Sequence, residues 1–156
     1  MKRTNQLGIG AVLTLILAAQ VAAQTTEGFE TGDFSAFPWT HSGNVNWTIT
    51  NLDKHSGTYS ARAGAITHNQ SSTLQMTISC PSGNISFWYK MSSESSGSAL
   101  RFYIGNVREG LWSGTQDWAQ VSYAVSAGVR TLRWTYSKSS GSSGADTACT
   151  APTGRT

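Results

Sequence analysis

The stretch ISFWYKMSSESSGSALRFYIG, residues 85–105, decides the fold of this chain. Apolar and polar residues alternate at its two ends, and no apolar residue stands between Met91 and Ala99. Such alternation is typical of β-strands, in which successive side chains face opposite sides of a sheet. The stretch therefore predicts two strands joined by a polar loop, with five aromatic residues divided between a buried face and an outer face.

The same alternation continues along the chain, and no window shows the 3.6-residue period of an amphipathic helix. Turn signals rich in Gly and Ser separate the alternating segments, a pattern that predicts an all-β, antiparallel sandwich. Eight strands are predicted, at residues 46–50, 60–64, 72–79, 84–91, 99–104, 107–112, 118–125 and 129–137.

The phase of the alternation assigns an inner and an outer face to each predicted strand. The inward rows are apolar and form the predicted core: Ile85, Phe87, Tyr89 and Met91; Leu100, Phe102 and Ile104; Val121, Tyr123 and Val125; Leu132, Trp134 and Tyr136. A polar outer face then remains, with Trp88, Lys90, Arg101, Tyr103 and Arg133 as candidate ligand-binding residues. Aromatic rings stack on sugar faces and guanidinium groups bind carboxylates, although an ordinary outer sheet face has similar residues.

Two tryptophans stand beside that predicted face. Trp112 precedes a Ser-Gly turn and Trp118 opens the next strand. Either they border a binding site or they close one end of the sandwich, and the sequence leaves both interpretations open.

The N-terminus has the features of a secretory signal peptide. Lys2 and Arg3 precede an apolar run over residues 7–19, and small residues follow up to Ala23. The run is shorter than the roughly 20 residues of a membrane-spanning helix. Residues 1–23 are therefore predicted to be removed on export to the cell surface or the medium, and no membrane insertion is expected.

Residues 24–156 carry nine basic and eight acidic residues, so their net charge is only +1. Nucleic-acid binding needs a clustered basic patch, and none is evident in the sequence, so no nucleic-acid partner is predicted. Cys80 and Cys149 are the two cysteines. A single disulfide is compatible with export, but spacing alone does not show that the two residues meet.

Several segments together resemble a known family. GFETGDF, W…GNVNWTI and HSGTYSARAGAITHNQSSTL, followed by the opening stretch and by residues 112–148, resemble the jelly-roll domain of bacterial cleaved-adhesin and MAM-like proteins. The resemblance covers residues 28–148 and implies a sandwich of the concanavalin A-like lectin/glucanase type. It also implies an adhesion or ligand-binding role, because such domains accompany large exported proteins as accessory modules.

The end of the chain departs from the family pattern. Members continue after DTA with Trp-Ile-Asp-Asp-Ile, a final strand, whereas this chain reads DTACTAPTGRT. We therefore predict a β-sandwich domain over residues 24–148 whose last strand is missing. Residues 149–156 are predicted to be an irregular tail, either truncated or frame-shifted, or else a natural short end.

The resemblance also implies a calcium site. In the resembling domains the glutamate of FE, here Glu30, shares a calcium ion with an aspartate of the final strand. Glu27 and Asp33 lie nearby in sequence, but calcium takes six or more oxygen ligands. Calcium is thus a candidate cofactor with an incomplete site, and the alternative is that these acids only solvate a turn.

Catalysis is not predicted. Glycosidases need paired carboxylates, and no predicted strand holds two acidic residues. No H-E-x-x-H zinc pattern or G-x-S-x-G nucleophile elbow is present either. The sequence predicts a secreted, non-catalytic module for adhesion or for binding a glycan or a surface protein. Two interpretations from other classes remain open: a structural spacer or fragment of a larger exported protein, and a glucanase-type enzyme.

Overall fold

The computed structural model describes residues 25–94, 96–140 and 147–152, and within them it contains ten β-strands. In this part of the chain no helix is long and apolar enough to cross a membrane. The strands are β1 Trp39–Gly43, β2 Thr48–Thr50, β3 Ser60–Arg62, β4 Ser71–Cys80, β5 Gly83–Ser92, β6 Ser98–Ile104, β7 Val107–Trp112, β8 Gln116–Val125, β9 Gly128–Lys138 and β10 Thr147–Pro152.

Two five-stranded antiparallel sheets form a sandwich. The first sheet has the order β1-β4-β9-β6-β7 and the second has the order β2-β3-β10-β5-β8. The predicted antiparallel β-sandwich is therefore confirmed. All eight predicted strands are present as β2 to β9, with their ends within two residues of the predicted positions.

The core lies between the sheets and includes most of the predicted inward rows, of which Ile104, Val121 and Tyr123 are only half-buried. Phe87 of the second sheet packs against Phe102 and Trp134 of the first sheet, with ring centroids 4.8 and 5.4 Å apart. Residues 85, 87, 89 and 91 are all buried, whereas Trp88 and Lys90 between them are only half-buried. Burying one such ring contributes about 1.5–3 kcal/mol, so these apolar rows fix which face of each strand turns inward.

The expectation that the last strand is missing is wrong. β10 lies in the middle of the second sheet, where Ala148 pairs with Met91 of β5 and Thr150 pairs with both Tyr89 of β5 and Ala61 of β3. Residues 149–152 of the predicted irregular tail are therefore part of a strand. This strand provides the backbone hydrogen-bonding partner that β3 and β5 share. Residues 153–156 and the predicted signal peptide, 1–23, lie outside the described residues.

Two further features were not predicted. β1 adds an edge strand to the first sheet by pairing with β4. The two cysteines lie in different sheets, because Cys80 ends β4 and Cys149 lies within β10. Both are buried, and no disulfide joins them.

Candidate functional site

The five predicted ligand-binding residues do not form one site. Trp88 and Lys90 lie on β5, so they occupy the outer face of the second sheet. Arg101 and Tyr103 on β6, with Arg133 on β9, occupy the outer face of the first sheet. The two outer faces of a sandwich point in opposite directions, so one small ligand cannot contact both groups.

An aromatic cluster lies on the outer face of the second sheet. The imidazole of His55 stacks on the indole of Trp88, with ring centroids 3.6 Å apart and planes inclined by 14°. Trp118 of β8 stands edge-on to His55, with a centroid distance of 6.0 Å. We call His55, Trp88 and Trp118 the aromatic platform. His55 is exposed and the two indoles are half-buried, so ring surface is open to solvent.

A β-bulge explains why β8 contributes two neighbouring residues to this face. Tyr89 pairs with Ala119, and Met91 pairs with Gln116, so two residues of β8 lie opposite the single residue Lys90. In a regular strand, Asp117 and Trp118 would face opposite sides of the sheet. Bulges redirect side chains in this way, and here the carboxylate of Asp117 reaches Lys90 while the indole of Trp118 reaches His55.

A small charged network borders the platform. The ammonium Nζ of Lys90 lies 3.1 Å from Oδ1 of Asp53 and 3.5 Å from Oδ1 of Asp117. The hydrogen bond to Asp53 is the main cause that raises the pKa of Lys90. The backbone N–H of Trp118 is the main cause that lowers the pKa of Asp117, and the charge of Lys90 adds to it. The face therefore presents the Lys90 ammonium between the side-chain oxygens of Asp53 and Asp117.

The loop that carries His55 is fastened at both ends. Oε1 of Glu30 accepts hydrogen bonds from the backbone N–H groups of Thr58 at 2.9 Å and Tyr59 at 3.3 Å. Gly57 has a φ of +67°, and a Cβ at this position would overlap the Glu30 carboxylate, so glycine is required for the contact. At the other end, the hydroxyl of Ser60 donates to the carbonyl of Asp53 at 2.5 Å.

The acidic residues of the N-terminal segment do not fit the calcium site that the sequence suggested. Glu30 fastens the loop, and the N–H donors of Thr58 and Tyr59 hold its pKa below the ordinary value. Buried Glu27 accepts the backbone N–H of Phe29 at 2.7 Å, and Asp33 accepts the N–H of Ser35 at 2.9 Å. Their oxygens do not converge, and among the described residues no group of three or more metal-ligating side chains could hold an ion.

The two bordering tryptophans have different positions. Trp118 belongs to the platform on the outer face of the second sheet. Trp112 instead turns inward at the edge of the sandwich, where its ring centroid lies 4.4 Å from that of Tyr89. Sequence reasoning missed His55, Asp53 and Asp117, since a loop contact and a bulge bring them to Trp88 and Lys90 without any local pattern.

The outer face of the first sheet has a different chemistry. The guanidinium of Arg133 lies 4.3 Å above the ring centroid of Tyr103, in a cation–π contact. Nη1 of Arg101 donates to the hydroxyl of Ser137 at 2.5 Å. Threonine pairs cross the strands beside them, with Thr73 to Thr135 at 3.1 Å between hydroxyl oxygens.

Solved structures with the same fold include carbohydrate-binding and adhesin domains. The carbohydrate-binding module TmCBM61, solved with β-1,4-galactotriose, matches 80% of this chain and 90% of its own, with 18% identity and a TM-score of 0.61. The K3 cleaved adhesin domain of Lys-gingipain from Porphyromonas gingivalis W83 matches 86% and 99%, with 14% identity and a TM-score of 0.62.

A third match is part of a larger protein. The secreted serine protease VesC from Vibrio cholerae is matched over 84% of this chain but only 28% of its own length, with 20% identity and a TM-score of 0.64. No protein-family model and no curated protein matches the chain. At these identities the likeness shows the fold, and it confirms the sandwich fold that the cleaved-adhesin resemblance implied.

Proposed function

We propose that this chain is a non-catalytic glycan-binding module, and that it binds a neutral oligosaccharide on the aromatic platform. The observation that supports this most is the convergence of His55, Trp88 and Trp118 on one polar sheet face. Carbohydrate-binding modules and adhesin domains with the same fold support it further.

Physical chemistry makes the platform suitable for a sugar. The C–H face of a pyranose ring is apolar and gains free energy when it covers an aromatic ring, as aromatic pairs gain about 0.5–1.5 kcal/mol beyond area burial. Sugar hydroxyls around that face need donors and acceptors. The ammonium of Lys90 donates, and the carboxylates of Asp53 and Asp117 accept, all beside the stacked rings.

The same carboxylates do not suit glycoside hydrolysis. A glycosidase keeps one carboxylic acid protonated by raising its pKa, so that it donates a proton to the leaving group. Here Lys90 bridges the pair, and the pKa of Asp117 is lowered rather than raised. Asp117 is then an acceptor and not a proton donor at neutral pH, so we propose binding without hydrolysis.

Export belongs to the same proposal. The signal peptide predicted over residues 1–23 would deliver the domain to the cell surface or the medium, where polysaccharides and surface proteins are the available ligands. The alternative role as a structural spacer would leave the platform without a ligand.

A glycan array followed by calorimetry tests the proposal. The protein from Gln24 onwards is screened against neutral oligosaccharides, and the best ligand is titrated into wild type, Trp88→Ala, Trp118→Ala and His55→Ala. We expect each variant to lose at least about tenfold in affinity, which is about 1.4 kcal/mol, because tryptophan anchors carry much of the energy at binding surfaces.

Tyr103→Ala is the matched control, since it removes an aromatic ring from the opposite outer face. Far-UV circular dichroism and the melting temperature confirm that each variant is folded. If Tyr103→Ala lowers the affinity for the glycan and the three platform variants do not, the assignment of the site to the aromatic platform is wrong. If the protein releases reducing ends from the bound glycan, it hydrolyses its ligand, and the proposal of a non-catalytic module is wrong.

A further inference from the structure

Three arginines and a tyrosine form a compact group on the outer face of the first sheet. Arg133 of β9 and Arg108 of β7 are the direct cross-strand neighbours of Tyr103 on β6. Neighbouring strands lie about 4.8 Å apart, so the backbones of these two arginines are ~10 Å apart, with the tyrosine between them. Arg101 lies on the same face of β6, two residues before Tyr103. We call Arg101, Tyr103, Arg108 and Arg133 the arginine face.

Glu30, Asp53 and Asp117 make their contacts away from this face. Glu30 holds the loop before β3, and Asp53 and Asp117 contact Lys90 on the opposite outer face. Glu109 follows Arg108 in the β7 bulge, and it lines a cleft together with Val125 of β8 and Val129 of β9. There its charge is one of the causes, after burial and Tyr89, that raise the pKa of Tyr123.

The cations of this face are held in place by neutral groups. The ring of Tyr103 lies under the guanidinium of Arg133, and the hydroxyl of Ser137 accepts from Arg101. Among the described residues no ion pair is found for Arg101 or Arg133, so neither guanidinium is matched by a carboxylate. A guanidinium that is already oriented loses less conformational entropy when it binds an anion, and its planar fork fits a carboxylate or sulfate bidentately.

Small hydroxyl side chains border the arginine face on the side of β4 and β9, and Leu111 of β7 lies opposite Arg101 on the other side. Thr131 bonds Thr77 at 2.8 Å, and Thr135 bonds Thr73 at 3.1 Å, so rows of hydroxyls run across the strands. Protein interfaces depend on large apolar anchors buried in pockets, which the centre of this face does not offer. A flat row of hydroxyls and guanidiniums instead matches an extended chain of sugars that carries negative charges.

From this juxtaposition we infer a second binding site: the arginine face binds an acidic polysaccharide, with Arg101 and Arg133 contacting its carboxylate or sulfate groups. The site is independent of the aromatic platform, because it lies on the other sheet and takes a charged rather than a neutral ligand. Residues 24–156 have a net charge of only +1, so a local match of charge, and not a general attraction to polyanions, accounts for binding.

Affinity electrophoresis and calorimetry with defined polymers test this inference. Polygalacturonate provides carboxylates, dextran sulfate provides sulfates, and neutral dextran is the uncharged control. We expect saturable binding to at least one charged polymer and none to dextran. Whichever polymer binds more tightly identifies the anionic group. Raising the salt from 0.05 to 0.5 M should weaken binding at least about tenfold, because salt screens exposed charges.

Single substitutions locate the site. Arg133→Gln and Arg101→Gln should each lower affinity for the charged polymer about five- to tenfold, as expected when one charge-assisted contact is lost. Arg130→Gln is the matched control: it removes one positive charge from β9, but this guanidinium binds Ser126 and Ala127 in the β8–β9 turn. Arg133→Lys keeps the charge and should still lose affinity, because an ammonium does not form the bidentate contact.

Four results overturn the inference: no saturable binding to either charged polymer, equal losses in Arg133→Gln and Arg130→Gln, full affinity in Arg133→Lys, or equally tight binding of a DNA duplex. Trp88→Ala separates this site from the proposed function. It should bind the charged polymer as wild type does, even if no neutral glycan ligand is found for the platform.

Discussion

The two outer faces of this sandwich are built from similar strands but differ in how their charges are matched. On the second sheet, Lys90 lies between Asp53 and Asp117, and stacked rings adjoin the network. On the first sheet, Arg133 lies over Tyr103 and has no carboxylate beside it in the described residues. One face therefore has paired charges and exposed rings, and the other has unpaired positive charge and rows of hydroxyls.

The difference shows that loops and bulges, rather than strands alone, give each face its chemistry. The second sheet gains His55 and Asp53 from the loop between β2 and β3, and it gains Asp117 from the bulge in β8. The first sheet also has a bulge, in β7, which brings Arg108 opposite Tyr103. The arginines of this face nevertheless all come from strands of one sheet, and we expect changes to the two faces to have separate effects.

Deleting the central strand of the second sheet should have the largest effect. A chain ending at Asp146 lacks β10, so β3 and β5 lose their shared partner and the buried Ala148 and Thr150 are removed. Unpaired ladder groups and exposed core each cost several kcal/mol, more than a marginally stable domain retains. We expect loss of the cooperative thermal transition, measured by far-UV circular dichroism.

The matched control for this deletion is a chain ending at Pro152, which retains all of β10. It should unfold cooperatively, with a melting temperature close to that of the full chain. A cooperative transition in the shorter chain as well would show that the second sheet does not depend on its central strand.

Two neighbours on β5 separate stability from binding. Phe87 is buried between the sheets, so Phe87→Ala should lower the free energy of unfolding by about 3–5 kcal/mol. Trp88 faces outward and contacts His55, so Trp88→Ala should cost only about 0.5–1.5 kcal/mol while it abolishes the ring stack. Urea denaturation measures both values, and equal losses would contradict the assignment of opposite faces.

Strand alternation predicted most of the sandwich but could not predict which strands share a sheet. Trp88 and Arg101 both face outward, and outward side chains look alike in sequence whichever sheet carries them. The five candidate residues were therefore grouped although topology divides them. The sequence did not predict β10 for a related reason. Its inward side chains include Ala148, which is small, and Thr150, which is polar, so no alternation of large apolar residues marks the strand.

The platform was only partly predictable. Trp88 was identified because an indole at an outward position of a strand is conspicuous. His55 meets it across 33 positions of sequence through a loop without periodicity, and Glu30, which fastens that loop, had been interpreted as a calcium ligand. A carboxylate that accepts backbone N–H groups has the same sequence signature as one that binds a cation.

The hydrogen bonds of Glu30 give the second sheet face a pH dependence. The N–H groups of Thr58 and Tyr59 lower the folded-state pKa of Glu30 below its ordinary value of 4.5. The folded state therefore favours the ionised form of Glu30. Its contribution to the free energy of unfolding is fully present above about pH 4.5, and it is lost as the pH falls through the lowered folded-state pKa of Glu30. The loop carrying His55 should loosen in that acidic range before the strands melt.

Amide shifts followed by NMR between pH 6 and 2 measure this effect. The N–H signals of Thr58 and Tyr59 should titrate with an apparent pKa below 4.5 in wild type and should lose that titration in Glu30→Gln. Gly57→Ala should displace the carboxylate at neutral pH, since the added Cβ overlaps it. Unchanged titration of both amides in Glu30→Gln would show that another acid controls the loop.

The smallest expected effect is the most direct comparison of the two faces. Lys90→Gln removes a cation that contacts two carboxylates, so it should lower the free energy of unfolding by up to about 1 kcal/mol, the usual range for exposed ion pairs. Arg133→Gln removes a cation that contacts only a ring, so little stability should be lost. The substitution also removes the repulsion between Arg133 and the neighbouring Arg101 and Arg108. This gain in stability offsets the loss of the contact with the Tyr103 ring.

Salt concentration should separate the two substitutions further. At 1 M salt Lys90→Gln should lower the free energy of unfolding by less than at low salt, because screening weakens the ion pairs of Lys90 with Asp53 and Asp117 in wild type. Any gain from Arg133→Gln should shrink too, because the repulsion that it relieves is also screened. Urea denaturation at low and high salt yields both differences. If Arg133→Gln were the more destabilising change at low salt, the arginine face would hold a structural contact, and the excess charge there would not be available to a ligand.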